Sequence, residues 1–278
     1  MASGKSGSMP VRRIHIALSL AALAGSASCG GDGDGTVTGS HTAFPTTQAD
    51  VTSLNAPTFA RFVDLSARAG ATMRLGETLT GVSTPFTDAG CVGGGGGQAS
   101  ITLDTSSGPV NGTATYTNFD RCFGMRVTGT ASVTGTMVQP GSFVDLMNFT
   151  FGSLGFTAGS ESIQASGTAA LDWTSVLPTS SYFITLNATT SGTAAFQLQN
   201  FRIDGQSAGA GVENISITGR LTTSDGFVDI ATVTSPQLFV PSIGLQGGQV
   251  TMTGVSTIAT VTYNGPIAPT IISIAPRP

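Results

Sequence analysis

Few side chains in this chain could do chemistry, and their types and spacing limit what that chemistry would be. The thiols are Cys29, Cys91 and Cys122, and the imidazoles are His15 and His41. Once an export signal carrying His15 is removed, His41 is the last imidazole, and it precedes the folded body. Ser-His and Cys-His catalysis are thereby excluded, as are histidine-based metal sites. Two downstream thiols without further nitrogen or sulfur ligands cannot complete a zinc tetrahedron. Asp225 and Asp229 are carboxylates that could in principle act as acid and base in glycoside cleavage, but single aspartates in turns are the commoner case. The five-glycine run Gly93 to Gly97 is followed by no Lys-Ser or Lys-Thr, so it is no P-loop. It reads as a flexible hairpin loop beside Cys91. We expect no catalytic residue, no metal ligand set and no cofactor.

Cys29 stands apart because of what precedes it. Lys5, Arg12 and Arg13 lead into an apolar stretch from Ile14 to Gly25, then the small residues Ser26, Ala27 and Ser28. These are the three regions of a signal peptide. A membrane-spanning helix needs about 20 apolar residues, and this stretch is shorter and interrupted by His15. Two cleavage readings follow. Ser26-Ala27-Ser28-Cys29 resembles the lipobox of bacterial lipoproteins, with Ser26 where that family carries an aliphatic residue. The resemblance implies a diacylated cysteine as the new N-terminus. Alternatively, Ser26 and Ser28 are the small residues of an ordinary signal peptidase site, and the protein is secreted soluble. After Cys29, Gly30 to Gly39 has nothing able to build a core, and glycine-rich chain behaves as flexible coil. Asp32 and Asp34 are too short a ligand series for calcium. Glycine after the cysteine implies, again by resemblance, sorting to the bacterial outer membrane, with the protein on its periplasmic or surface face.

Cysteine parity bears on the same question. With Cys29 acylated, Cys91 and Cys122 remain as an even pair in an oxidising compartment, where disulfides persist. Such a bridge would stabilise by roughly 3 to 4 kcal/mol on the chain-entropy model. The alternative is two buried thiols.

Composition points to strands. Charged residues are 9% of the chain, against roughly 25% in ordinary soluble domains, so the surface must be largely threonine, serine, asparagine and glycine. Such side chains, with 38 glycines, suit strands and turns. Lys5 is the only lysine, and the mature chain is acidic, which leaves no basic footprint for nucleic acid.

From Thr72 onward the hydrophobic period is two. Val127, Gly129, Ala131, Val133, Gly135 and Met137 share one face of a strand. Ile163, Ala165, Gly167, Ala169, Leu171 and Trp173 share another, and Ile215, Ile217, Gly219 and Leu221 a third. Val250, Met252 and Gly254 follow suit, after which the alternation weakens. Gly-Thr-Ala recurs at Gly112, Gly129, Gly167 and Gly192, and Asn-Phe at Asn118, Asn148 and Asn200, with irregular spacing unlike a solenoid. Turns are expected near Asp120 to Gly124, Gly152 to Gly159, Ser191-Gly192, Asp204 to Gly211 and Ser224 to Gly226. Gly129, Gly167, Gly219 and Gly254 fall on apolar faces rather than in turns, so they would let a sheet curl tightly. Trp173, Phe196 or an early helix would then fill the concave side. That helix is expected over Phe59 to Ala69, with Asn55 as N-cap, Gly70 as stop, and Phe59, Phe62, Val63 and Ser66 on the packed face.

The layout from Cys91 to Gly135 resembles a group of uncharacterised bacterial lipoproteins. The residues that carry it are Cys91, the glycine run, Asn111-Gly112-Thr113, Asn118-Phe119, Cys122 and Gly129-Thr130. It implies an all-β periplasmic or surface module and no activity.

The expected architecture is all-β: a curved antiparallel meander sheet, as an open half-barrel or sandwich-like, with one short N-terminal helix. Residues 1–28 form the signal peptide, 29–50 the tether and 51–278 one β-rich domain. The expected role is structural or binding, at the cell envelope, with the membrane as partner through the lipid and no catalysis. The alternatives are a periplasmic carrier holding a hydrophobic ligand in the curved sheet and a carboxylate-dependent hydrolase.

Overall fold

A computed structural model describes residues 43–73, 86–88, 97–104, 110–120, 124–137, 144–176, 179–209, 212–233, 238–239, 245, 247–264 and 270–278. After the helix α1 (Ala56–Met73) come β1 (Phe86–Asp88), β2 (Gln98–Asp104), β3 (Val110–Phe119), β4 (Arg126–Met137) and β5 (Val144–Ala158). Next are β6 (Glu161–Val176), β7 (Thr179–Gly192), β8 (Gln197–Gly209), β9 (Val212–Thr223) and β10 (Gly226–Thr232). Last are β11 (Leu238–Phe239), β12 (Gln249–Thr253), β13 (Thr257–Thr262) and β14 (Ile271–Pro276). All pair antiparallel in one open sheet, in sequence order from β1 to β14, except that β11 pairs β9 beside β10. The expected all-β curved meander with one helix is the observed fold.

The alternation that builds the strands is the one the sequence carries. Val127, Ala131 and Val133 are buried on β4 while Thr128, Thr130, Ser132 and Thr134 on the opposite face are not. Ile163, Ala165, Ala169 and Leu171 do the same on β6, and Ile215, Ile217 and Leu221 on β9. Hairpins of this kind, each burying one face, stack into a meander. A twisted open sheet of more than about ten strands must curl, split or flatten. This one of fourteen curls.

A band of irregularities across its middle accounts for the curl. The extra residue falls in β3 between Tyr116 and Phe119, in β5 between Phe151 and Leu154, and in β8 between Leu198 and Arg202, where the register shifts against both β7 and β9. Gly129, Gly167 and Gly219 lie opposite these shifts on neighbouring strands. Bulges bend a strand and increase its twist, so a row of them folds the sheet along one line. Two of the three Asn-Phe pairs are part of the device. Asn118 and Asn200 take φ of 48° and 47°, the left-handed region that asparagine tolerates, and the following Phe119 and Phe201 turn fully inward. Asn148-Phe149 is ordinary strand, paired in register with Thr134 and Ala170. Gly167 (φ 148°) could carry no side chain, because a Cβ there would lie 2.2 Å from the Asn187 carbonyl oxygen. Gly219 (φ 136°) is held in the same way, 2.6 Å from the Asn200 oxygen.

The helix fills the concave side. Thirteen of its 18 residues are buried, far more than one amphipathic stripe, because the sheet wraps it. The Tyr263 hydroxyl, just past β13, donates to the Ala60 carbonyl at 3.0 Å. The Tyr116 hydroxyl on β3 donates to Met73 at 2.9 Å. The helix therefore crosses the sheet from its last strands to its first. In between, Phe62 stacks on Phe196 with ring centres 4.7 Å apart, worth about 0.5–1.5 kcal/mol beyond burial. Phe196 is thus one of the expected fillers; the side chain of Trp173, the other, lies outside the described residues.

Three expectations need correction. Gly70 does not stop the helix, which continues to Met73. A Cβ at Gly70 would meet Ile203 Cδ1 at 2.5 Å, so this glycine serves close helix-sheet contact. Gly152 to Gly159 is not a turn, since β5 runs through it with a bulge and reverses only at Gly159-Ser160. Likewise β8 extends to Gly209 through much of the stretch expected as a turn from Asp204. Asn55 does stand at the helix start, where its carbonyl accepts from Phe59 N. Its side chain, however, bonds back to Thr52 N and Asp50 O.

Residues 47–50, expected in the tether, are bonded into the body. Phe227 N donates to Thr47 O, Ala49 N to Phe227 O, and Val255 N to Ala49 O. The chain thus comes in at the end of the sheet where the β3–β4, β5–β6, β7–β8, β9–β10 and β12–β13 turns lie, here called the proximal end.

Candidate functional site

Cys29, Cys91 and Cys122 lie outside the described residues, as do Asp32, Asp34 and Gly93 to Gly96. The described neighbours of the two downstream cysteines can be placed. Asp88 and Gly97 flank the stretch that holds Cys91, and Asp120 and Gly124 the stretch that holds Cys122. All four sit at the proximal end of adjoining strands, since Gln98 of β2 pairs with Thr117 of β3.

Between helix and sheet the described residues pack closely. A void of about 20 Å³ remains, bounded by Leu65, Ala69, Phe151, Phe156, Ile163 and Leu198 among others, room for about one water. Its two hydroxyls are already bonded to backbone: Ser66 to Phe62 O, and Thr190 to Ala194 O and Phe196 O.

The unburied helix residues form a polar stripe: Pro57, Thr58, Arg61, Asp64 and Arg68. Arg68 pairs with Asp64 one turn earlier at 2.7 Å, and Arg61 with Glu161 at the β5–β6 turn at 3.1 Å. Asp64 also accepts from Leu245 N at 3.1 Å, so the β11–β12 connection reaches the helix here. Burial, and secondarily the charge of Asp64, push the Tyr263 phenol well above its ordinary value of 10.0, which keeps it a neutral donor. Arg68 Nε and Thr72 Oγ1, one turn apart, are buried without partners. They are donors at the edge of an otherwise apolar interior.

The aspartate pair weighed for hydrolysis is not brought together in a cleft. Asp229, on the outward face of β10, is bonded to Arg220 at 2.8 Å, and that guanidinium lies 3.6 Å over the Phe227 ring. Asp225 sits in the β9–β10 turn, its N–H on Thr223 Oγ1. Among the described residues no three His, Cys, Asp or Glu side chains are grouped as a metal site would need. No described helix is long and apolar enough to cross a membrane.

The most organised polar cluster was missed by sequence reasoning. Asp50 Oδ1 accepts from Ser256 N and Thr257 Oγ1, both at 3.0 Å, and its Oδ2 from Ser256 Oγ at 2.8 Å. Those bonds, the Ser256 N–H foremost, hold the Asp50 carboxyl below its ordinary 3.8. Thr257 Oγ1 also accepts from Val51 N and donates to Val51 O. This clasp fixes the incoming chain on the β12–β13 turn, and its partners are some 206 residues apart, beyond any local signal. Comparison with protein families, with characterised proteins and with solved structures gives no match for this chain.

Proposed function

We propose that the protein is a lipid-anchored β protein of the bacterial outer membrane, held through an acylated Cys29, with a structural or binding role and no catalysis. The observation that carries this reading is the signal layout ending in Ser26-Ala27-Ser28-Cys29, followed by glycine-rich chain. The fold is compatible with it: the chain that follows Cys29 joins the body at one end, where the Asp50 clasp would bear a pull from the anchor. Paired acyl chains give stable anchoring where one gives only marginal binding. A Cys91–Cys122 bridge belongs to the same reading, and the shared sheet end of their flanking residues supports it.

The alternatives find less support. A carrier needs interior space, and the void that the described residues line between helix and sheet is about 20 Å³. A carboxylate-dependent hydrolase needs two converging acids, and Asp229 is engaged by Arg220. Metabolic labelling with a fatty-acid analogue tests the anchor. Label on the wild type that disappears in Cys29→Ala is expected; an unlabelled wild type, or undiminished label on the variant, contradicts it.

A further inference from the structure

Three large apolar side chains are exposed among the described residues: Leu54, Val255 and, less so, Ile271. Single exposed apolar residues need no explanation, but two of these share one place. Leu54 is 90% exposed in the turn before the helix, and Val255 is 55% exposed at the tip of the β12–β13 turn. They flank the Asp50 clasp, since Asn55 beside Leu54 bonds to Asp50 O and Val255 N bonds to Ala49 O. Partly exposed Phe44, Pro45 and Pro57 stand close by in the chain. Ile271 lies at the opposite end of the sheet.

We infer that this proximal face seats on the phospholipid surface, with Leu54 and Val255 entering the interface and Asp50 at headgroup level. The inference rests on the anchor reading above. The 13 residues from Gly30 to Thr42 span at most about 45 Å and about 20 Å as flexible coil. The chain they lead into joins the body between Thr47 and Asp50, at the clasp that these two side chains flank, so an acylated Cys29 keeps this face, rather than the distal one, at high effective concentration near the bilayer. After removal of the signal no lysine remains, and this face carries both the Asp50 carboxylate and the Arg277 guanidinium, which donates to Gly254 O at 3.3 Å; this fits a zwitterionic surface with ethanolamine ammonium groups better than a strongly anionic one.

The test uses the acylated protein in vesicles of phosphatidylethanolamine and phosphatidylcholine with brominated acyl chains. Trp173, in the distal part of β6, supplies the wild-type baseline. Leu54→Trp and Val255→Trp, at exposed positions that tolerate size, should add emission that is blue-shifted and quenched by the bromines. Gln206→Trp, at the exposed distal end of β8, should add emission that is not. If the protein floats with the vesicles but Leu54→Trp and Val255→Trp are quenched no more than Gln206→Trp, the docked face is wrong while the anchor stands. If the protein does not float, the anchor itself fails and the inference falls with it.

Discussion

Replacing Gly167 by alanine should be among the most damaging single-methyl changes in the molecule. Two costs add. At φ 148° an L side chain is strained, by about 1–2 kcal/mol. The new Cβ would stand 2.2 Å from Asn187 O and 2.7 Å from Ala188 Cα, so β7 must shift, and forcing packed groups apart costs about 1–3 kcal/mol. Against this, alanine restricts the unfolded chain, a gain of about 0.4–1 kcal/mol. The net expected loss is about 1–5 kcal/mol, or roughly 2–20 °C in Tm for a domain of this size. Two controls separate the terms. Gly159 has φ 60° but nothing within 4 Å of a Cβ, so Gly159→Ala should lose only about 1 kcal/mol, the strain alone. Gly152 has neither a positive φ nor a neighbour within 4 Å, so Gly152→Ala should be neutral or stabilised by up to about 1 kcal/mol. Urea unfolding followed by circular dichroism gives the three midpoints. A Gly167→Ala protein as stable as Gly152→Ala would refute the idea that the glycine band sets the curvature by close strand approach.

The tyrosines that tie the helix across the sheet should be unequal. Tyr116→Phe strips a partner from Met73 O and should cost about 1–3 kcal/mol. Tyr263→Phe leaves Ala60 O to its intrahelical position and should cost less; equal denaturation midpoints for the two variants would count against this account. For Asp50 the sign follows from its lowered pKa. The folded state favours the carboxylate, so its contribution is full above about pH 3.8 and is lost as pH falls through the lower folded value. Asp50→Asn should therefore lose less stability than wild type on acidification below that pH, measured by urea midpoints from neutral to acid; parallel curves would oppose the clasp. Thiol titration of the unfolded, unreduced mature protein should find no free thiol, and two would remove the Cys91–Cys122 bridge.

What could be read from the sequence was what depends on near neighbours. The alternation in β4, β6, β9 and β12 needs only the next residue but one, and it placed the buried face correctly. In β13 the buried set is Ala259 and Val261, continued by Tyr263 just past its end, while Ile258 on the other face blurs the pattern. The Asn-Phe repeat was visible, but Asn118 and Asn200 take positive φ at a bulge while Asn148 stays in register beside Gly135, so the pair with a glycine across the strand does not by itself mark a bulge. Gly70 carries the local mark of a helix stop, and its actual role is set by Ile203, far along the chain. The residues before Val51 look like linker because Thr47 and Ala49 bond to Phe227 and Val255 through the backbone, which leaves no trace in side-chain type, and the partners of the Gln48 and Asp50 side chains lie more than 200 residues away.

The central claim is tested most directly by the mass of the N-terminal peptide from mature protein extracted from membranes. The account predicts a chain beginning at Cys29 with acyl groups on it. A mature chain that begins elsewhere, or with an unmodified cysteine, would contradict it.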